Sequence, residues 1–184
     1  MAVTESKKIV TGDELLVMGD IGRCELVQGE IVFMSPSGGR HGELTIAIGA
    51  LLRIHVKTKQ IGKTYGAETG FYTRRNPDTV RAPDAMFISS DRVAKITDHV
   101  KFLDVAPNLV VEVLSPGDTW TEVETKVQEY FTAGVRLIWI IDPKAETITV
   151  YRSANERTIL TRTDILTGGD ILPEFSVPVS EIFE

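Results

Sequence analysis

Two short and almost entirely apolar segments constrain the fold of this chain more than any other feature. The first, PNLVVEVLSP, is bounded by Pro107 and Pro116, and apolar residues occupy both of its faces except at Glu112. The second, RLIWIIDP, has the same character. A strand that is apolar on both faces must be covered on both sides, which happens in the middle of a sheet. The two segments therefore predict central strands of a covered sheet.

The stretch between these segments has the pattern of an amphipathic helix. Thr119 and Glu122 have the spacing of a capping box, and Gly134 is a typical residue just after a helix. The residues expected on its buried face are Val123, Val127, Tyr130 and Phe131. A strand, a helix and a second strand in this order predict a crossover unit.

Further patterns lie upstream of this unit. His41 to about Lys57 predicts a helix, whose expected core positions are Leu44, Ala47, Ile48, Leu51 and His55. TYGAETGFYTR and VRAPDAMFISS each predict one strand, because aromatic and β-branched residues favour strands. A hairpin is expected to turn at Gln28-Gly29, and TITVYR and the tail from Arg157 to Glu184 predict further hairpins and turns.

Chain length and order together predict the fold class. We expect an α/β (α+β) fold in one domain, residues 1–184, with a core of about 41–143 in the order α-β-β-β-α-β and β-hairpins at both ends. No apolar stretch approaches the 18 or so residues that span a bilayer, and Met1 to Val10 lacks the apolar core of a signal peptide. These features predict a cytoplasmic protein with no membrane contact.

The charge balance limits the kind of nucleic-acid contact that the chain can make. A formal net charge of −6 disfavours a protein that coats nucleic acid by bulk attraction, although it permits a local basic groove. Arg74, Arg75 and Arg81 lie on an expected connection, where solvated side chains are the usual finding. The only cysteine, Cys24, has no partner for a disulfide and no zinc-ligand spacing around it.

Two carboxylates occur where the pattern is otherwise apolar. Asp84 alternates with Ala82, Met86 and Ile88 on one predicted strand, and Glu112 occupies a similar place on another. An unpaired carboxylate in apolar surroundings costs several kcal/mol or becomes protonated. A hard divalent cation bound by oxygen ligands would relieve both costs. For each residue alone, a local hydrogen bond of Asp84 or a salt bridge of Glu112 with Arg136 or Lys126 explains the pattern equally well.

Lys126 lies at the border of the apolar stripe of the helix that follows Glu112. It can extend outward into solvent, or it can return toward the carboxylate of the preceding strand. Trp120 and Trp139 stand among apolar positions and are expected in the core.

RAPDAMF, VVEVLSP and TEVETKVQEYFTAGVRLIWIIDP together resemble the Uma2-type restriction endonuclease family (DUF820) of the PD-(D/E)xK nuclease superfamily. This resemblance implies a restriction-endonuclease-like core with a central mixed sheet flanked by helices. It implies that Asp84 and Glu112 bind a metal ion, with the main-chain carbonyl of Val113 as a further ligand. The lysine of the superfamily pattern is replaced by Leu114, and the resemblance implies that Lys126 takes its role.

Two more residues are candidates for the same site. Glu68, expected on the first core strand between Gly66 and Gly70, is a candidate ligand for a second metal ion or for a ligating water, or else points to solvent. His41, in Arg40-His41-Gly42, resembles a family position near the substrate phosphate, although a histidine at a helix start is often structural.

The function expected from these residues is Mg²⁺-dependent hydrolysis of DNA phosphodiester bonds by an endonuclease, with Mn²⁺ as a possible substitute. Catalysis is assigned to Asp84, Glu112 and Lys126. Two alternatives stay open, a nuclease-fold module that binds or regulates without cleaving and a purely structural assembly protein. A homodimer is expected by analogy, because cutting both strands needs two sites.

Overall fold

The computed structural model describes residues 9–184, so the part of the expected domain at residues 1–8, including most of the segment examined for a signal peptide, lies outside the described residues. The helices are α1 (Gly12–Val17), α2 (Gly39–Lys59), α3 (Ser90–Val93), α4 (Trp120–Ala133) and α5 (Val179–Ile182). The strands are β1 (Cys24–Val27), β2 (Glu30–Phe33), β3 (Gly62–Gly66), β4 (Phe71–Arg74), β5 (Thr79–Arg81), β6 (Ala85–Ser89), β7 (Leu109–Val113), β8 (Leu137–Asp142), β9 (Thr147–Ser153), β10 (Glu156–Leu160), β11 (Ile165–Gly168) and β12 (Leu172–Pro178).

The main sheet has six strands in the order β10-β9-β8-β7-β6-β3. β7 and β8 are parallel, and every other neighbouring pair of this sheet is antiparallel. Helix α4 crosses over between the two parallel strands, with a capping box at Thr119 and Glu122 and Gly134 at its end. The predicted mixed sheet and the central place of the two apolar strands are confirmed, and the order α-β-β-β-α-β holds for α2, β3, β6, β7, α4 and β8, the long helices and main-sheet strands of the core.

A second, four-stranded sheet has the order β2-β1-β5-β4. The predicted hairpin at Gln28-Gly29 forms its β1 and β2 strands. TYGAETGFYTR and VRAPDAMFISS were each predicted as one strand, which is wrong, because each divides between the two sheets as β3 and β4 or as β5 and β6. The first breaks at a turn that includes Glu68 with a φ of 68°. The second breaks at Pro83, which has no amide hydrogen for a ladder.

The main sheet is covered differently on its two faces. One face packs on α2, α5 and the β11–β12 hairpin, and the other on α4. The core residues of α2 follow four-residue steps and are Leu44, Ile48, Leu52 and Val56. The predicted positions Ala47, Leu51 and His55 are only half-buried, so the stripe lies slightly to one side of the predicted one. A row of residues four apart is the ridge that helices use most often for packing.

Trp139 is fully buried in the main sheet, as predicted. Trp120 is 52% exposed at the start of α4, so its prediction as a core residue is wrong. Over residues 9–184, none of the helices has the length and apolar character needed to cross a membrane.

Candidate active site

Asp84 and Glu112 approach each other from neighbouring strands. Ala85 of β6 pairs with Val111 of β7 in an antiparallel ladder, so Asp84, one residue before β6, stands opposite Glu112. Both residues line one cavity of about 620 Å³. The cavity lies between the main sheet and the four-stranded sheet, and residues from both sheets and from α4 form its walls.

Asp84 is 4% exposed and is held by three polar groups. Its Oδ2 atom accepts a hydrogen bond of 2.8 Å from the backbone N–H of Val113 and lies 3.3 Å from Nε2 of His41. Its Oδ1 atom lies 3.7 Å from Nη2 of Arg23. His41, in the first turn of α2, thus contacts a predicted site residue, and its place near the substrate phosphate stays a prediction. The Val113 group in contact with Asp84 is its amide, and ligation by its carbonyl stays a prediction.

Glu112, whose side chain is 13% exposed, is the carboxylate that several charged groups of the cavity surround. Its Oε1 atom accepts a hydrogen bond from the hydroxyl of Tyr130 and lies 3.5 Å from Nζ of Lys126. Burial raises the pKa of Glu112 to about 7; the Lys126 charge opposes this rise, while the Asp84 and Glu25 charges add to it. One nearby lysine therefore offsets only part of the cost of an ionised Glu112.

Lys126 points into the cavity rather than outward. Its Nζ atom lies 3.5 Å from Oε1 of Glu112 and 3.7 Å from Oε2 of Glu25, and its side chain is 28% exposed. The Glu112 charge raises the pKa of Lys126 despite burial, which favours the neutral form, and the Glu25 charge raises it further. The predicted approach of Lys126 to Glu112 is confirmed. The alternative partner Arg136 is wrong, because Arg136 pairs with Asp170.

Sequence reasoning missed Glu25, a third carboxylate in the cavity. It lies on β1 and is 4% exposed, and its two oxygens accept hydrogen bonds from Nη1 of Arg81 at 2.8 Å and from the Ala82 amide at 3.1 Å. Burial alone would raise the pKa of Glu25, but the charges of Lys126 and Arg81 lower it. The signal was present in the sequence, because Glu25 is a carboxylate inside an otherwise apolar strand pattern, CELV.

The predicted positions of Arg81 and Glu68 are wrong. Arg81, expected in solvent, is 7% exposed and also donates to Oε2 of Glu129 at 2.7 Å. Glu68, expected on a core strand, lies in the exposed turn between β3 and β4 and does not line this cavity. Its backbone is left-handed, and the turn closes with a hydrogen bond from Thr69 N–H to the Gly66 carbonyl. The turn conformation removes Glu68 from the strand face that the prediction required.

The donor set fits a hard divalent cation. Of the described residues that line the cavity, five are acidic and three are basic: Glu25, Asp84, Glu112, Asp118 and Glu122 against Arg23, Arg81 and Lys126. Residues 9–184 contain no cluster of three or more His, Cys, Asp or Glu side chains arranged as a metal centre. A cation here would therefore use Asp84 and Glu112, with backbone carbonyl and water oxygens as the remaining ligands. It would also oppose the burial, and the smaller effect of the Asp84 and Glu25 charges, that raise the pKa of Glu112.

The mixed sheet with its crossover helix places the chain among α+β proteins with a restriction-endonuclease-like core. The particular family follows from residues 13–180, which match Uma2, described as "Putative restriction endonuclease", and the chain belongs to this family.

Comparison with solved structures supports this assignment at the level of the fold. A crystal structure from Anabaena variabilis, of a "putative nuclease belonging to DUF820", has a TM-score of 0.78 and 21% identity. The match covers 95% of this chain and 97% of that one.

A curated relative is similar over a shorter range. "Uncharacterized protein sll1609" from Synechocystis is 26% identical over 117 residues, which are 62% of this chain. The chain spans 64% of the length of that relative.

Proposed function

We propose that the protein is a Mg²⁺-dependent endonuclease that hydrolyses DNA phosphodiester bonds. The observation that carries this proposal is the convergence of Asp84 and Glu112, from two neighbouring strand positions, on a cavity that also contains Lys126. Membership of the Uma2 family agrees with it. The raised pKa of Glu112 is a second argument for a functional site. A carboxylate whose ionised form is destabilised by its surroundings does not add to the stability of the fold, and strongly shifted pKa values are concentrated at functional sites.

Asp84 and Glu112 would hold the cation, with the Val113 carbonyl as a third protein ligand. Bound there, a divalent cation would supply Lewis-acid chemistry, polarising a phosphoryl oxygen and lowering the pKa of water. The chain itself fixes the two carboxylates in advance. The Val113 amide and His41 orient Asp84, and the Tyr130 hydroxyl orients Glu112. Such hydrogen bonds limit the freedom of ligating carboxylates and tune their basicity.

Lys126 is the positively charged side chain that would act on the phosphate. Its ammonium group lies beside Glu112, and its side chain lines the cavity of about 620 Å³, so it would stabilise the extra negative charge of a pentacoordinate transition state formed there. It can also orient the attacking water. These are the tasks of the lysine that the superfamily pattern has on the strand, at the position taken here by Leu114.

The test of this function is cleavage of supercoiled plasmid and of labelled single-stranded DNA with Mg²⁺, with Mn²⁺ and with EDTA. We expect metal-dependent cleavage that Asp84→Asn and Lys126→Met each abolish, while both variants keep the circular dichroism spectrum of the wild type. Met suits position 126 because it keeps the apolar stem and removes the charge. Binding of DNA without cleavage by pure wild-type protein would instead favour the binding or regulatory module.

A further inference from the structure

We propose that Glu25 is a positioning residue for Lys126, so that the four-stranded sheet takes part in the reaction by holding a lysine that α4 supplies. This inference rests on the proposed nuclease function and extends it to a residue outside the Asp84, Glu112 and Lys126 set. Glu25 would act through Lys126 and would not touch the cation or the DNA.

A lysine on a helix needs such a partner. The lysine side chain has a flexible four-carbon stem, and at the border of an apolar stripe it can extend into solvent at little cost. On a central strand the neighbouring strands would confine it, but this chain has Leu114 at that strand position. Lys126 is instead held between two carboxylates, at 3.5 Å from Glu112 and 3.7 Å from Glu25.

Glu25 is itself rigidly placed. Its Oε1 accepts from the Ala82 amide at 3.1 Å, and its Oε2 accepts from Arg81 at 2.8 Å. Arg81 is fixed in turn, because its Nε donates to Glu129 of α4 at 2.7 Å. These contacts link β1, β5 and α4 through the buried side chains of Glu25 and Arg81 and the half-buried side chain of Glu129. A carboxylate fixed on both oxygens provides a defined point of attraction for the ammonium group of Lys126.

The same contacts separate Glu25 from the proposed ligands. Both of its oxygens already accept hydrogen bonds from cationic or amide donors. Within residues 9–184, the carboxylate of Glu112 accepts hydrogen bonds from Tyr130 and Lys126 alone, both through Oε1. Glu25 also belongs to the other sheet. Its replacement should therefore disturb the lysine and leave cation binding in place.

The first experiment compares Glu25→Gln with wild type in steady-state DNA cleavage and in melting temperature with EDTA and with Mg²⁺. We expect kcat to fall about 10- to 100-fold with KM unchanged, because a displaced catalytic group slows the reaction without weakening binding. The rise in melting temperature with Mg²⁺ should persist. Glu174→Gln is the matched control, since it also removes a carboxylate paired with a lysine, Lys59, and lies outside the cavity; its kcat should be unchanged.

The second experiment does not depend on cleavage. Melting temperatures of Glu25→Gln, Lys126→Met and the double variant should be non-additive, because two groups that interact directly are coupled in stability. If Glu25→Gln does not fold, Glu25→Asp replaces it. Asp keeps the charge but retreats from Lys126 by one methylene, so the same fall in kcat is expected.

Three results would overturn the inference: additive melting temperatures, a kcat equal to that of Glu174→Gln, or loss of the Mg²⁺ response in Glu25→Gln, which would make Glu25 a ligand. A wild-type protein that does not cleave DNA refutes the proposed function, and with it any role of Glu25 in cleavage. That outcome is seen before any variant is compared.

Discussion

The two faces of the main sheet differ in chemistry although the same strands build both. On one face, β7 places Leu109, Val111 and Val113 in an apolar core beneath α2, α5 and the β11–β12 hairpin. On the other face, Val110 of the same strand packs in an apolar cluster, and Glu112 follows it into the charged cavity. The core of the first face is apolar, and polar contacts such as Lys59–Glu174 lie at its margin. The second face combines apolar burial with charged side chains that are costly to bury without a partner.

The charged face is where, under the proposed function, the chain gives up stability for a site. Replacing a buried ion pair by apolar residues of similar volume is often neutral or stabilising, so charges in a core need a reason beyond stability. Stability and local consistency are commonly relaxed at functional sites. The cavity face is accordingly the part of the sheet where substitutions should change function, and the opposite face is the part where they should unfold the protein.

The largest effect is expected on the apolar face. Trp139→Ala removes a fully buried ring that packs against Phe175 at 5.4 Å between centroids, and it should lower the free energy of unfolding by about 3–5 kcal/mol. Urea denaturation measures the loss. Trp120→Ala is the control, because that ring is half exposed and should change stability by less than about 0.5 kcal/mol. Similar losses in both variants would contradict the distinction between core and surface.

The next effect is a pH-dependent gain on the charged face. The pKa of Glu112 is raised to about 7, so its contribution to stability is complete below its ordinary pKa of 4.5 and is lost as pH rises through 7. In EDTA, Glu112→Gln should match wild type near pH 4 and exceed it at pH 8 by on the order of 3 kcal/mol.

Thermal melts at both pH values test this expectation. A purely structural salt bridge with Lys126 predicts the opposite sign, with Glu112→Gln the less stable protein at pH 8.

Cation binding should stabilise the charged face by a comparable amount. A ligand that binds only the folded protein at a hundredfold excess over Kd adds about 2.7 kcal/mol, which is visible as a higher Tm. Mg²⁺ should therefore raise the Tm of wild type and leave Glu112→Gln unaffected, as differential scanning fluorimetry can show. An equal rise in both proteins would place the cation elsewhere.

The smallest effect is expected for an ion pair outside the cavity. Arg136 and Asp170 are 2.6 Å apart but more than half exposed, so Arg136→Ala should cost less than about 1 kcal/mol in chemical denaturation. The cost should shrink further in high salt, because solvent and ions screen an exposed pair. A cost as large as that of Trp139→Ala would mean that exposed charges stabilise this protein as strongly as its core.

Local patterns predicted much of the fold because they depend on neighbours in sequence. The capping box of Thr119, the end of α4 at Gly134 and the turn at Gln28-Gly29 are confirmed, and each rests on hydrogen bonding or backbone conformation within a few residues. The central place of β7 and β8 follows from continuous apolar character. Asp84 and Glu112 became candidates because charged residues are unusual in such patterns, and Lys126 became one through its place at the border of the helix stripe and the family resemblance.

Contacts between distant segments decided the rest. The division of two predicted strands between two sheets depends on which strands are free to pair, and alternation within one segment does not show this. Glu68 lies in a turn rather than on a strand because the chain passes from one sheet to the other at this point. Glu25 and Arg81 meet across 56 positions of sequence, so their pairing became visible only when β1 and β5 lay side by side.

The sequence by itself determined the two long helices, the central strands and their order in the main sheet, and it singled out the two carboxylates and the lysine as candidates. Side-chain periodicity and helix capping depend on residues close together in sequence, so they can be recognised without the structure. Only the tertiary structure decided that a second sheet closes the cavity and that Glu25 faces Lys126. Such a contact is set by the packing of whole sheets, in which the burial of many side chains outweighs any local preference.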